Sequence, residues 1–250
     1  MELIDEEGNL FGVVNVIDAL VVLVLVAVLV AGVALVTGGS DPAESDAASE
    51  GPELATQHVT LDVGEQPRYI AGAIETGDTT LGSGPESLTV TDVRVTPRNG
   101  ETYVALRANV TGPVQNETVS YDGTPPRLGR SLTLATDTYE IEGQIRAVGD
   151  SPDLDRESVS VRVRTDLSES ELDAIETPTP VTTADHRVGT IEDTDWENET
   201  AFVEATLDAH VLTDTQYFGG QPVEPGTTVT LPTATERING TITSVDTPDA

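Results

Sequence analysis

From Ala19 to Val36 the chain draws eighteen consecutive residues only from Ala, Val, Leu and Gly. A run of that length with no polar side chain reads as a membrane-spanning helix, because a soluble fold has nowhere to bury such a helix on all sides. Extending it back to Val13 makes twenty-four residues, about 36 Å of helix against a hydrocarbon core of about 30 Å. A cleavable signal would carry a basic leader and a shorter apolar stretch. Here the first twelve residues hold Glu2, Asp5, Glu6 and Glu7 and no cation. The expectation is an uncleaved anchor over 13–36, preceded by a short tail at 1–12, with the lipid bilayer as its first partner.

Two polar residues interrupt the start of this helix. Asn15 and Asp18 are three apart and share one helical face, with Gly12 one turn before. An ionisable group within a span is costly and marks a partner or a pathway. The competing reading makes Asn15 an N-cap and Asp18 an interfacial residue near the helix's positive end. The stretch "LIDEEGNLFGVVNVIDALVVLVL" resembles the signature of the domain-of-unknown-function 4330 family, through Ile4, Asp5, Gly8, Leu10, Phe11, Gly12, Asn15 and Asp18. The resemblance implies a single-pass membrane protein whose polar pair belongs to the design of the segment, and it brings no activity. Family members usually place a basic residue after the second glycine, where this chain has Val13, so that orientation cue is missing. On this basis Gly12, Asn15 and Asp18 are expected to form a face for a membrane-protein partner.

Orientation rests on sequons. Asn109, Asn116, Asn198 and Asn239 each begin Asn-x-Thr, four of the five asparagines beyond the anchor. Such acceptors are used outside the cytoplasm. The expectation is a cell-membrane protein with a cytoplasmic N-terminus and an extracellular C-terminal region. Thr-rich strands also produce sequons incidentally.

Composition narrows the rest. Acidic residues number 44 against 12 basic, every basic residue is Arg, and the formal charge is -32. At about 1 M salt the Debye length is about 3 Å, so this self-repulsion is screened, and the balance reads as halophilic adaptation. It argues against a nucleic-acid partner. Cysteine is absent, which removes disulfides and thiol chemistry.

Residues 37–57 form a Gly/Ser/Ala/acid tether. Beyond it the chain repeats itself. "LGRSLTLATDTYEIEGQIRAV" (128–148) aligns without a gap to "PGTTVTLPTATERINGTITSV" (225–245). "YDGTPP" from Tyr121 resembles "YFGGQP" from Tyr217, and Ala73-Ile74-Glu75-Thr76 recurs at Ala174–Thr177. Two units follow, 58–149 and 158–246, joined by an acidic hinge at 150–157 and ending in a tail at 247–250. In each, a strand leads to a short helix and then to alternating strands. Ser168 and Glu171 have the spacing of a capping box. Gly143 and Gly240 within strands predict a bulge or close backbone approach. The fold class is therefore mainly β: one transmembrane helix and two tandem barrel-like β modules, each with a short helix. Two separate barrels, or two halves closing one barrel, both fit.

The search for chemistry yields little. His58, His186 and His210 lack metal-ligand spacing, and Asp208 and His210 are expected to face solvent. Ser83 lacks a nucleophile-elbow context. No cofactor is expected. Arg127 and Arg130 form the one small basic cluster, a weak candidate for an anionic ligand. Trp196 reads as a packing anchor or a surface contact. The expected function is a membrane-anchored extracytoplasmic binding or assembly module of the cell envelope without catalysis of its own. The alternatives are an envelope or carbohydrate-processing enzyme subunit completed by a partner, and a structural spacer.

Overall fold

The computed structural model describes residues 9–10, 14–15, 52–115 and 117–246. Residues 1–50 and 51–250 form separate units. In the first, β1 (Asn9–Leu10) pairs antiparallel with β2 (Val14–Asn15), Asn9 facing Asn15. This corrects the start of the expected helix. Val14 and Asn15 are strand rather than first turn, consistent with the β preference of a branched residue at Val14. The rest of the candidate span, including Gly12 and Asp18, lies outside the described residues. Among the described residues, no helix is long and apolar enough to cross a membrane.

The second unit begins with β3 (Leu54–Gln66), which starts inside the stretch read as tether. Then follow α1 (Arg68–Ala71), β4 (Thr79–Leu81), β5 (Ser87–Arg98), β6 (Glu101–Gln115), β7 (Thr118–Val119), β8 (Ser131–Ala135) and β9 (Glu140–Gly149). The second set is β10 (Arg156–Thr165), α2 (Glu169–Leu172), β11 (Thr179–Thr183), β12 (His186–Glu197) and β13 (Thr200–Leu212). It continues with β14 (Thr215–Phe218), β15 (Gln221–Pro222), β16 (Thr228–Pro232) and β17 (Arg237–Asp246).

Both sheets have one topology. Their strand orders are β4-β5-β6-β3-β9-β8 and β11-β12-β13-β10-β17-β16, antiparallel throughout. Even the irregularities repeat. A register shift at Val90/Asp92 recurs at Ile191/Asp193, and one at Thr60/Leu61 recurs at Arg162/Val163. Bulges bend and twist a sheet, so the same two bends curl each module. The two outer strands of the first sheet meet through Thr80, whose hydroxyl donates to the Ala135 carbonyl at 2.9 Å and accepts from its N–H at 2.6 Å.

Each module fills its own interior. Leu61, Leu88, Leu106, Leu134 and Ile145 are among the fully buried residues of the first core. Ile191, Leu207, Leu231, Ile238 and Ile242 play that part in the second, and no residue is shared. Two barrel-like modules are therefore present rather than one. The predicted capping box forms at α2: the Ser168 side chain accepts from the Glu171 N–H, and the Glu171 carboxylate accepts from the Ser168 N–H at 2.8 Å. The Ser168 hydroxyl, which donates to the Glu171 carboxylate at 2.6 Å, and then the Ser168 N–H hold that carboxyl below its ordinary range. At α1 the corresponding position is Pro67, with no side-chain cap.

The repeated tyrosines need a one-residue correction. Asp122 and Gly123 hold φ of 48° and 70°, and Gly219 and Gly220 hold 59° and 69°. Aligning these turns sets Tyr121 against Phe218, not Tyr217, at the same offset as Ile141 and Ile238. Burial agrees, with Tyr121 3% and Phe218 2% exposed.

The close approach predicted at the strand glycines is present. A Cβ on Gly240 would lie 2.4 Å from the Arg164 carbonyl oxygen and 2.5 Å from a Val163 methyl. On Gly143 it would meet the Leu61 Cβ at 3.0 Å. Forcing extra volume into a packed interior costs about 1–3 kcal/mol. Gly240→Ala is expected to lower stability by at least that much in urea unfolding, and Gly143→Ala by less, because its closest approach is 3.0 Å rather than 2.4 Å.

Candidate functional site

Strand β6 reads Tyr103-Val104-Ala105-Leu106-Arg107-Ala108, and all six residues are buried. Alternation sends Val104, Leu106 and Ala108 into the first core. Tyr103, Ala105 and Arg107 point the other way and are covered by the second module. They lie on a receptor face with Thr60 and Asp62 of β3 and Arg94 and Thr96 of β5.

The turn between β14 and β15 docks on this face. The Gly219 N–H donates to the Thr96 hydroxyl at 3.1 Å. A Cβ on Gly220 would fall 2.2 Å from the Tyr103 ring, so bare backbone is required there. A type I′ turn with both central residues at positive φ presents such backbone, which accounts for the Gly-Gly pair. Arg94, 7% exposed, donates to the Asp208 carbonyl across the same seam.

The stretch read as a hinge is tied along its length. Arg107 donates from Nε to the Ser151 carbonyl at 2.7 Å and from Nη1 to the Thr60 hydroxyl at 2.9 Å. The Thr91 hydroxyl donates to the Pro152 carbonyl at 2.5 Å. The Asp92 carboxylate accepts from the Leu154 N–H at 3.0 Å and from Arg156 at 2.6 Å. The Asp155 carbonyl accepts from the Val211 N–H at 2.8 Å, and the Leu154 side chain is buried. Residues 150–157 are a strap, not a swivel.

The seam holds a small cavity of about 20 Å³, room for a single water. Asp62, Tyr103 and Arg146 line it from the first module, and His210 and Tyr217 from the second. The Tyr103 hydroxyl bonds the Asp62 carboxylate, and burial with that neighbour pushes the phenol's pKa up. Asp62 also pairs with Arg146 at 3.8 Å. His210 stacks on Tyr217 with centroids 5.6 Å apart. It is 3% exposed, and its Nδ1 has no hydrogen-bond partner. Burial first, and the Arg94 charge second, press its pKa down to about 4, against a smaller pull from Asp62. The expectation that His210 faces solvent is thus overturned. It does lie on the outer face of β13, but the first module covers that face.

The second module carries the equivalent face in a different form. Register sets Arg162 where the first module has Thr60, and Glu204 where it has Arg107. Arg162 pairs with Asp195 at 2.8 Å, Glu197 at 3.1 Å and Glu204 at 3.6 Å, and lies 4.4 Å over the Phe202 ring.

The other sequence candidates do not converge. Asn15 contributes backbone to β2, and Asn116 lies outside the described residues. Asn109 sits mid-strand in β6 with its carbonyl oxygen buried. Asn198 is exposed on the β12–β13 turn, and Asn239 is exposed on β17, accepting from Thr230 at 2.9 Å. Arg127 is exposed, whereas Arg130 is engaged by the carbonyls of Tyr121, at 2.8 Å, and Thr124. Trp196 packs against the second core. Among the described residues, no group of three or more His, Asp or Glu side chains is placed to hold a metal ion.

A family model described as domain of unknown function (DUF4330) matches residues 1–149, more than half of the chain. The chain belongs to this family. No curated protein and no solved structure matches it. The DUF4330 match stops at the last residue of β9, so it takes in the N-terminal segment and the whole first module. The second module repeats the first module's topology beyond that boundary.

Proposed function

We propose that this DUF4330 protein is a membrane-anchored binding or assembly component of the cell envelope. Its anchor is the apolar run within 13–36, with a short cytoplasmic N-terminus and the paired β modules outside. The observation that carries the reading is the locked seam. A strap bonded along residues 150–157 and a glycine turn seated on Tyr103 make the two modules present one fixed surface, which suits holding partners in register. The apolar run supplies the tether, and Asp18 near its start supplies a polar contact within the bilayer.

The test is crosslinking from native membranes at high salt, followed by purification of the tagged full chain. Asp18→Leu is expected to leave membrane insertion intact and to lose a specific membrane protein recovered with wild type. An unchanged partner set in the variant would remove the polar pair from the assembly.

A further inference from the structure

A second opening on the seam, about 60 Å³, is lined by Arg68 and Thr102 of the first module and by Thr183 and Arg237 of the second. The chain has twelve arginines among 44 acids, so cations have carboxylates to choose from on every side. Eight are engaged through their side chains: Arg94, Arg98, Arg107, Arg130, Arg146 and Arg156, and Arg162 and Arg187. Four side chains make no hydrogen bond or ion pair with another described residue: Arg68, Arg127, Arg164 and Arg237. Two of those four line this one cleft, and they come from different modules.

The remaining walls suit an anion. Thr102 and Thr183 are buried, and their hydroxyls share one long contact of 3.4 Å, so donor capacity remains. Arg237 reaches over the bare turn at Gly100, with Nη1 3.2 Å from the position a Cβ there would take. Glu101 lines the same cleft and forms no ion pair with either arginine. Two guanidinium groups and one carboxylate leave a local charge of about +1, which matches a single negative charge. Planar guanidinium forks bind oxyanions in paired hydrogen bonds.

We propose that this cleft holds one singly charged oxyanion, a carboxylate or a sulfate ester, between Arg68 and Arg237, and that its occupancy clamps the two modules. A ligand that binds only the folded, closed seam raises the unfolding temperature in proportion to its saturation.

The experiment uses the full chain in detergent at fixed ionic strength. Acetate, methyl sulfate, glucuronate and inorganic phosphate are titrated by calorimetry and by thermal unfolding. Saturable binding of the first three, tighter than that of phosphate, is expected, with a matching rise in unfolding temperature. Arg68→Gln and Arg237→Gln are each expected to weaken binding at least tenfold and to abolish that rise. Arg164→Gln, which removes an exposed, unengaged arginine outside the cleft, leaves both unchanged. Both cleft arginines are exposed and unbonded, so the variants fold, and equal unfolding temperatures without anion verify it. Glucuronate binding tighter than acetate assigns the oxyanion to a sugar, and equal affinities assign it to a free acid. Absence of saturable binding by every probe, or equal affinity in wild type and both cleft variants, overturns the proposal.

Discussion

Gly220→Ala is expected to separate the two modules while Gly123→Ala leaves them joined. The two glycines occupy equivalent positions in equivalent turns, at φ of 69° and 70°. An L-residue in that backbone region costs about 1–2 kcal/mol at either site. At Gly123 nothing lies within 4 Å of the new Cβ, so that strain is the whole effect. At Gly220 the Cβ would lie 2.2 Å from the Tyr103 ring, which the receptor face holds in place. Overpacking of about 1–3 kcal/mol is added there, and the turn must lift. The difference between the variants thus isolates the docking contact from the turn's own strain. Urea unfolding of the Gly220 variant is expected to resolve into two transitions, one for each core, where wild type shows one. Equal losses in the two variants, with a single transition in both, would mean that the turn does not hold the seam.

Acid is expected to loosen the same seam through His210. Its folded pKa of about 4 lies below the ordinary histidine value of 6.5. Between those values the unfolded chain takes up a proton that the folded chain refuses, so stability falls as pH drops from about 6.5 to about 4 and levels off below. A gap of that size corresponds to about 3 kcal/mol at full effect. Burial sets the direction, and the groups facing the imidazole adjust it. Arg94 on β5 opposes a positive charge, while Asp62 on β3 favours it and is already engaged by Tyr103 and Arg146; Arg156, in register with His210 on β10, is paired with Asp92. Asp208 on β13 takes its place in the seam through its carbonyl, which accepts from Arg94. Tyr217 on β14 supplies a stacked ring. Many carboxylates also titrate here, so the measurement is a difference. Urea midpoints from pH 7 to pH 4 are compared between wild type and His210→Gln. The variant is expected to lose a distinct part of the downward slope. Parallel slopes would assign the whole acid response to other groups.

Most of the architecture was legible in the sequence because period-two alternation records which face of a strand is buried. The paired glycines at 143 and 240 and the capping box at Ser168 recorded local geometry equally directly. The seam was harder to read because it violates alternation. Residues 103–108 are buried on both faces, and in the sequence they appear only as a strand with too few polar positions. That departure was the available signal, and it singles out Tyr103, Ala105 and Arg107. His210 was misread for the same reason: it sits on a strand's outer face, and nothing local says that another module covers it. Tyr121 matches Tyr217 by letter but Phe218 by position, because the positive-φ pair that defines the turn sets the register. Arg130 looked free because a contact with backbone carbonyls leaves no complementary residue to find.

The Arg162 cluster has a consequence for how far this architecture extends. A repeat that docks its turn on its predecessor is a growth rule, and applied without end it builds a filament. The rule needs a receptor with an aromatic floor and hydroxyl acceptors, and the first module provides one at Tyr103 and Thr96. The second module fills the same ground with a guanidinium held by three carboxylates and laid over Phe202. A glycine turn arriving there would have to displace a charge already fully partnered. That face of the second module is closed to a glycine turn of this kind.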